Sequence, residues 1–241
     1  MNEINFKKLT SDLCQKKKGH LLQLFSINIY QRDILIPQET RLAIINSFEE
    51  MQDKYFKSST ASSYTGDVEG MGAMHNMDIF EELIKEVEIS VLDYIRSFSK
   101  MCDQLQVYHQ KSWPVFLKSG TSVDSHHHSN SDLSAVYYFD VPNGNGGELI
   151  FYSPIDLGLP SNSTGVDFWK NEFCVNAIKP YTGLLVIFPS SIKHEVRRYT
   201  GEQQRVSFSF DFTLTASPDL GSGQIENLPP SINHWRAFRT E

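Results

Sequence analysis

Cysteine, clustered basic charge and long hydrophobic runs are all scarce in this sequence. Its three cysteines, Cys14, Cys102 and Cys174, are odd in number and far apart, which argues against a disulfide framework. Unpaired cysteines are typical of reducing compartments, and the polar first residues do not resemble a secretory signal. We therefore expect a cytoplasmic protein.

Basic residues are outnumbered by acidic ones, and this limits the partners to expect. The chain has 22 Lys and Arg residues against 29 Asp and Glu residues, a formal net charge of −7. Its basic run at residues 16–18 is short. Nucleic-acid-binding domains usually carry a basic face, so no nucleic-acid partner is expected. No apolar stretch approaches the ~20 residues needed to cross a bilayer, which predicts no membrane-spanning segment.

Length and aromatic content favour one large domain with a β-rich core. The chain has 241 residues, among them 16 Phe and 10 Tyr, and no repeat or linker divides it. We predict a single domain over residues 1–241. It comprises an N-terminal strand with helical support at 1–106, a β core at 107–215 and a C-terminal tail at 216–241. In that tail Trp235 and Phe238 dock either on the domain or on a second subunit, so a homodimer stays open.

The first part of the chain is predicted to hold a strand and two amphipathic helices. Apolar and polar residues alternate toward the end of residues 21–30, as in a strand. After Pro37, apolar residues recur every three or four positions, as on one helix face: Leu42, Ile45, Phe48, Met51 and Tyr55. A second, clearer helical stripe follows: Phe80, Leu83, Ile84, Val87, Val91, Tyr94, Ile95, Phe98, Met101 and Leu105.

Beyond Val107 the pattern changes to many short strands. Apolar runs are separated by Gly, Pro, Asn and Ser, and they lie at residues 107–108, 113–117, 133–139, 149–152, 184–188 and 206–212. This predicts a many-stranded antiparallel core, for which sandwich, jelly roll and barrel are the candidates. Two long loops, residues 57–76 and 153–175, are either a lid and specificity surface or plain surface loops.

Three adjacent histidines, His126, His127 and His128, are the first feature with chemical meaning. Alternate side chains of a strand share a face, so His126 and His128 would point one way and His127 the other. Two neutral imidazoles on one face suit Fe, Zn, Ni or Cu. A metal site and a surface cluster of histidines both fit this segment.

His194 and Arg205 follow in the second half of the core. His194 comes after the apolar run at 184–188 and a turn at Pro189, and is either structural or a ligand. If Arg205 shares an inward face with Ser207, its guanidinium needs an anionic partner. That partner is either a bound carboxylate, which a guanidinium matches with two parallel hydrogen bonds, or an internal Asp or Glu. Alternatively, Arg205 is an exposed strand end.

The order of these features resembles the 2-oxoglutarate/Fe(II) oxygenase superfamily. The similarity is most specific to bacterial and phage members with an H-x-H-P-N-S-x-L-S-G-V-Y-Y stretch, which here reads H-H-H-S-N-S-D-L-S-A-V-Y-Y over residues 126–138. Trp113 matches a Trp of that group. Residues 146–149 are similar to its G-G-E-L turn, and residues 183–194 to its G-x-L-x-x-F-P-S-x-x-x-H segment. The resemblance covers roughly residues 25–212.

The resemblance implies a fold and an activity. The fold is mainly β with flanking α-helices, a double-stranded β-helix core packed against N-terminal helices. The activity is that of a non-haem dioxygenase using Fe(II), 2-oxoglutarate and O2, which hydroxylates a small-molecule or an amino-acid or peptide substrate and releases succinate and CO2. His126 and His194 match the first and last iron ligands. Arg205 and Ser207 match the pair that holds the C5 carboxylate of 2-oxoglutarate, and Tyr138 matches a tyrosine that assists them.

One position departs from the pattern of the superfamily. The usual H-x-D or H-x-E motif supplies a carboxylate ligand, whereas this sequence has His128 there. Either three histidines hold the iron, or a carboxylate comes from elsewhere, with Asp124 and Asp132 nearest, or His127 is a ligand in an irregular strand. The three-histidine set is the one we favour: His126, His128 and His194.

Two other functions fit parts of the sequence. A three-histidine, cupin-like dioxygenase would share the fold and the metal without using 2-oxoglutarate, but it leaves Arg205 and Ser207 unexplained. A non-catalytic jelly-roll binding module leaves the whole arrangement unexplained. The identity of the substrate is open in each case.

Overall fold

Two facing antiparallel sheets form the core of the molecule, and two helices cover the outer face of the larger sheet. The computed structural model describes residues 27–55, 63–66, 71–99, 102–142, 146–154, 175–219 and 228–237. The larger sheet has six strands in the order β1-β8-β5-β10-β3-β2, and the smaller has four in the order β4-β9-β6-β7. The mainly β prediction with flanking helices is therefore confirmed.

The strands and helices have the following bounds: β1 (Tyr30–Asp33), α1 (Gln38–Tyr55), β2 (Ser63–Thr65), α2 (Glu81–Phe98), β3 (Leu105–Leu117), β4 (Val123–His126), β5 (Leu133–Asp140), β6 (Leu149–Tyr152), β7 (Val175–Ile178), β8 (Leu184–Pro189), β9 (His194–Val196) and β10 (Arg205–Ala216). Short 3-10 helices occupy Met74–Asn76, Asp78–Phe80, Cys102–Gln104 and Ile232–His234. None of the helices in the described ranges is both long and apolar enough to span a membrane.

Strict alternation in the central strands separates the two faces of the larger sheet. In β5, Ala135, Tyr137 and Phe139 pack toward the helices, whereas Val136 and Tyr138 pack toward the smaller sheet. Because successive side chains of a strand point to opposite faces, a strand buried on both sides is apolar throughout. The helix side holds the main hydrophobic core, and the side between the sheets is free to hold polar groups.

The second helical stripe is confirmed over most of its length. Phe80 and the predicted stripe positions of α2 up to Ile95 are buried: Leu83, Ile84, Val87, Val91, Tyr94 and Ile95. The stripe is wrong at its end, since Phe98 is 54% exposed. α2 stops there, with Ser99 in an extended conformation, so Phe98 lies beyond the part of the helix that rests on the sheet.

The stripe predicted for α1 is rotated relative to the structure. Ile44 and Phe48 are buried, whereas Leu42 and Ile45 are 49% and 40% exposed. Phe48 packs edge-on against Phe116 at 5.4 Å between ring centroids, which draws the Ile44–Phe48 face onto the sheet. Positions four apart share a helix face, so burying Ile44 turns Leu42 and Ile45 outward.

Three other sequence predictions fall differently in the structure. The strand expected within residues 21–30 begins only at Tyr30, and residues before 27 lie outside the described ranges. The loop at 57–76 contains the short strand β2, while residues 155–174 of the other loop lie outside the described ranges. Trp235 is 56% exposed and donates its indole N–H to the carbonyl of Pro230, so it is not buried on the domain.

Candidate active site

A cavity of about 710 Å³ lies between the two sheets and collects the residues singled out in the sequence. Its walls come mainly from β3, β4, β5, β9 and β10. The predicted site residues all line it: His126, His127, His128, Tyr138, His194, Arg205 and Ser207. Residues up to 81 positions apart in the chain therefore share one compartment.

Three of the histidines form a compact cluster at one end of this cavity. His126, the last residue of β4, is paired with His194, the first residue of β9. His128 follows β4, and its backbone N–H donates to the carbonyl of Ser190. The ligand atoms offered by His126, His128 and His194 all lie within 4.8 Å of one another. This is a spacing that one metal ion can bridge with small adjustments of the rings.

Hydrogen bonds set the tautomer of each ring in the cluster. Nδ1 of His126 lies 2.7 Å from the carbonyl oxygen of Asp124, and Nδ1 of His194 lies 2.9 Å from that of Ile192. A carbonyl oxygen only accepts, so both Nδ1 atoms carry the proton and both Nε2 atoms keep a lone pair. Nδ1 of His128 is likewise 2.7 Å from a carboxylate oxygen of Asp211. All three rings are thus arranged as metal ligands are, with Nδ1 bound to an outer acceptor.

His194 is electrostatically suited to bind a cation. Its pKa is lowered to about 4, mainly by burial and also by the nearby rings of His126 and His128, against the raising effects of the Ile192 carbonyl and Asp211. The ring is therefore neutral at neutral pH, which is the form that ligates metals. Phe188 packs edge-on against it, with 4.8 Å between the ring centroids, and limits its rotation.

The alternatives for the second ligand are placed less favourably. His127 is exposed and takes no part in the cluster. Asp124 contributes its backbone carbonyl to His126, and the Oδ2 atom of Asp132 accepts the backbone N–H of Leu214. Within the described residues, the three histidines are the one group of His, Cys, Asp or Glu side chains that could hold a metal.

Asp211 is a buried residue of the cavity that sequence reasoning did not single out. It is 5% exposed, accepts from His128 through both carboxylate oxygens, and accepts from the hydroxyl of Ser134 at 2.7 Å. The available signal was the alternation along β10. Arg205, Ser207, Ser209 and Asp211 all line the cavity, while the phenylalanines between them face the helix-side core.

Arg205 also lines the cavity and is almost completely buried, at 1% exposure. One of its terminal nitrogens, Nη1, donates to the carbonyl of Gly147 at 2.7 Å, but its Nε has no partner. Among the described residues no carboxylate forms an ion pair with it. Burial lowers the pKa of this guanidinium, as expected for a cation without an anionic neighbour. Within the described ranges Arg205 has no internal ion pair, and it is not an exposed strand end. A bound anion is the alternative that fits these observations.

Tyr138 stands beside this guanidinium with an unused hydroxyl. The guanidinium carbon of Arg205 is 5.4 Å from the centroid of the Tyr138 ring. The hydroxyl is buried and has no hydrogen-bond partner. Burial raises the pKa of Tyr138, so the phenol keeps its proton and is available as a donor. Two orphaned donors in one buried spot indicate a missing acceptor, and the carboxylate of a dicarboxylic acid fits both.

The Gly146-Gly147 turn is required by how closely the backbone approaches its neighbours. Both glycines have positive φ, 80° and 74°. A Cβ on Gly147 would lie 3.0 Å from Nη1 of Arg205, and one on Gly146 would lie 2.0 Å from the carbonyl oxygen of Arg198. This turn therefore presses its carbonyl against the guanidinium and holds it in the pocket.

Comparison with known proteins agrees with this site. Residues 111–211 match the model of the family described as "Putative 2OG-Fe(II) oxygenase". This segment contains all three histidines, Tyr138, Arg205 and Ser207, and ends on Asp211. No curated protein sequence matches the chain.

Solved structures of several oxygenases share the fold. The chain is similar to a Pseudomonas putida prolyl-4-hydroxylase at 14% identity, over 79% of this chain and 94% of that one, with a TM-score of 0.51. It is similar to HygX from Streptomyces hygroscopicus, solved with nickel and 2-oxoglutarate bound. The identity is 10% over 78% of this chain and 82% of that one, with a TM-score of 0.52. It is also similar to a Trichoplax adhaerens prolyl hydroxylase in complex with a hypoxia inducible factor peptide fragment. The identity is 14% over 88% of this chain and 94% of that one, with a TM-score of 0.51.

These similarities confirm the double-stranded β-helix expected from the sequence, packed against N-terminal helices. The family match adds the cofactors, Fe(II), 2-oxoglutarate and O2, for which the cavity offers a cluster of neutral imidazoles and a buried, unpaired guanidinium. On these similarities the chain resembles 2OG-Fe(II) oxygenases, whose family model it matches over residues 111–211.

Proposed function

We propose that His126, His128 and His194 bind Fe(II) through their Nε2 atoms. We further propose that 2-oxoglutarate binds beside them, with its C5 carboxylate on Arg205, Ser207 and Tyr138. The enzyme then hydroxylates a small-molecule or an amino-acid or peptide substrate and releases succinate and CO2. The observation that carries this proposal is the presence, in one cavity, of a three-imidazole cluster and a buried guanidinium without an anion.

The three histidines fix the metal before any substrate arrives. Each Nδ1 proton is held by an outer oxygen, so each ring meets the metal in one orientation. Three ligands on one face leave three positions open for other groups. When bound, Fe(II) and 2-oxoglutarate supply the activation of O2 that oxidises a substrate C–H bond.

Arg205 and Tyr138 select and orient the cosubstrate. The guanidinium and the phenol both donate, and a carboxylate accepts from both without leaving a buried donor unpaired. Ser207, one strand repeat further along β10 and 1% exposed, faces the same cavity and adds a hydroxyl. Because these donors and the imidazoles line one cavity, a ligand with one carboxylate for the donors and a second acidic group for the metal suits it better than a monoacid.

The remaining walls exclude water and accept the substrate. Val136, Leu149 and Phe188 contribute apolar surface next to the imidazoles. Polar and aromatic residues from β3, among them Gln110, Lys111 and Trp113, line another part of the cavity. HygX has been solved with hygromycin B bound and the Trichoplax enzyme with a peptide fragment, which supports a small molecule or a peptide as substrate here.

We also propose a cytoplasmic protein, and a homodimer remains a prediction.

The cupin-like alternative accounts for less of the cavity. A three-histidine dioxygenase without 2-oxoglutarate would use the metal cluster but would leave Nε of Arg205 and the hydroxyl of Tyr138 buried and unpaired. An unpaired buried donor costs ~1–3 kcal/mol, and here two would lie side by side. The 2-oxoglutarate-dependent oxygenase therefore remains the proposal.

Anaerobic titration tests both halves of the site. Purified protein receives Fe(II) and then 2-oxoglutarate, and the visible charge-transfer band of a 2-oxoacid chelated to Fe(II) is followed. His194→Ala should abolish the band, and Arg205→Ala should raise the 2-oxoglutarate concentration needed to form it. His234→Ala and Arg198→Ala, which change exposed residues, are matched controls and should leave it unchanged. Iron binding without a band would favour the cupin-like dioxygenase, and no iron binding would refute the metal site.

A further inference from the structure

The carboxylate missing from the metal cluster lies one hydrogen bond away from it. Asp211 is 5% exposed, and among the described residues its one ion-pair contact is with His128, not with Lys or Arg. A buried carboxylate is costly unless it is paired and hydrogen-bonded. Its side-chain hydrogen-bond partners are the ring of His128 and the hydroxyl of Ser134.

We propose that Asp211 is a positioning residue for the metal. It orients His128 and supplies from outside the ligand set the negative charge that a coordinating carboxylate supplies in the H-x-D pattern. This inference rests on the proposed metal site. It explains how three neutral ligands stand in for two histidines and a carboxylate, since a cation at Nε2 of His128 completes the pairing of Asp211 through the ring.

A relay of hydroxyls holds Asp211 in place. The Ser134 hydroxyl donates to Oδ1 of Asp211 at 2.7 Å, and it lies 2.8 Å from the hydroxyl of Ser190. Both serines are buried, at 2% and 0% exposure. Because Ser134 donates to Asp211, Ser190 donates to Ser134, and every hydrogen bond of this relay points toward the carboxylate. Such an arrangement fixes the orientation of the carboxylate toward Nδ1 of His128.

His128 is held from two directions. The carboxylate of Asp211 fixes its Nδ1 edge, with distances of 2.7 and 2.8 Å to the two oxygens. The indole of Trp113 lies nearly parallel to its face, with 5.9 Å between the ring centroids. Asp211 also stands where the register of β10 and β3 shifts, between Asp211 and Phe212. Irregularities of this kind redirect side chains next to active sites.

Two substitutions separate orientation from charge. Asp211→Asn keeps an oxygen that can accept from Nδ1 of His128 but removes the negative charge, whereas Asp211→Ala removes both. Asp132→Asn is the matched control. Asp132 also lies near β10, but its carboxylate accepts a backbone N–H from Leu214 and does not touch the cluster.

The readouts are the dissociation constant for Ni(II), the position of the Fe(II)–2-oxoglutarate charge-transfer band, and the unfolding midpoint of the metal-free protein. We expect Asp211→Ala to weaken Ni(II) binding by ~10- to 100-fold, the usual effect of losing an outer partner of a ligating histidine, and Asp211→Asn to weaken it less. Both should shift the band to shorter wavelength, because an iron with less negative charge nearby gives up its electron less easily. Asp132→Asn should change neither the affinity for Ni(II) nor the position of the band.

The outcomes separate the two proposals. Wild-type protein that does not bind Ni(II) or Fe(II) would refute the proposed metal site, and this inference with it. Wild-type binding with unchanged affinity and band position in both Asp211 variants would refute only the role of Asp211. If Asp211→Ala does not fold, the band position in Asp211→Asn still decides, since a merely structural aspartate would not change the electronic state of the iron.

Discussion

Replacing Tyr138 by phenylalanine should change the free protein and its cosubstrate complex in opposite directions. In the free protein the hydroxyl is buried and unpaired, and such a group costs ~1–3 kcal/mol. Deleting it should raise the free energy of unfolding by about 1 kcal/mol, the low end of that range, because the missing oxygen leaves a small void. In the complex the same hydroxyl donates to a carboxylate. A hydrogen bond to a charged group contributes ~1.5–3 kcal/mol, so the affinity for 2-oxoglutarate should fall by about 10- to 150-fold.

Urea unfolding with and without 2-oxoglutarate, together with calorimetric titration of the metal-loaded protein, measures both effects. Tyr137→Phe is the matched control, since Tyr137 is the preceding residue of β5 but faces the helices and donates to the carbonyl of Ile34 at 3.2 Å. It should lower the stability by ~0.5–1.5 kcal/mol and leave 2-oxoglutarate binding unchanged. A Tyr138→Phe protein that is less stable when free and binds 2-oxoglutarate normally would refute the cosubstrate pocket as drawn.

Two further predictions concern the turn beside the pocket and the response to pH. Gly147→Ala places a methyl group 3.0 Å from the guanidinium at a position with a positive φ of 74°. This variant should lose ~1–2 kcal/mol of stability and bind 2-oxoglutarate more weakly. The control Gly120→Ala has a φ of 84° but no atom within 4 Å of the added methyl, so it should lose stability without a change in binding. Burial lowers the pKa of His109 and of His75, which stack 5.1 Å apart, below the ordinary value of 6.5. As the pH drops, the unfolded chain therefore takes up protons before the folded one, and the free energy of unfolding should fall as the pH drops below 6.5. In urea unfolding, His109→Gln should make this pH dependence less steep. An equally steep pH dependence in that variant would contradict the attribution to His109.

Local periodicity was enough to predict most of the scaffold. The period of two in β10 and the period of 3.6 in α2 are set by backbone geometry, so they appear in the sequence wherever one face is buried. The same periodicity failed for α1. Leu42 and Ile45 form as good a stripe as Ile44 and Phe48, and the choice between them is made by the partner rings on the sheet. Those rings come from β3 and β5, far along the chain.

The candidate site divides in a similar way. His126, His194, Arg205 and Ser207 could be proposed from the order of motifs, because each stands at a fixed place relative to a strand. The role of Asp211 could not be proposed in this way, because it depends on pairing between strands that are distant in sequence. Only the register of β5 against β10 brings Ser134 opposite Asp211 and aims both at His128.

Two of the proposed iron ligands and the proposed cosubstrate anchor belong to different sheets. His126 and His194 are carried by the smaller sheet, whereas Arg205 and Asp211 are carried by the larger one. The distance between these imidazoles and the guanidinium of Arg205 therefore depends on the thickness of the apolar layer between the sheets, in which Phe188 packs against both Phe151 and His194. Substitutions in that layer are consequently expected to affect activity, although its side chains are apolar and take no part in the chemistry. Adding or removing one methylene in this layer alters the distance between the imidazoles and the guanidinium, even in a residue that contacts no ligand.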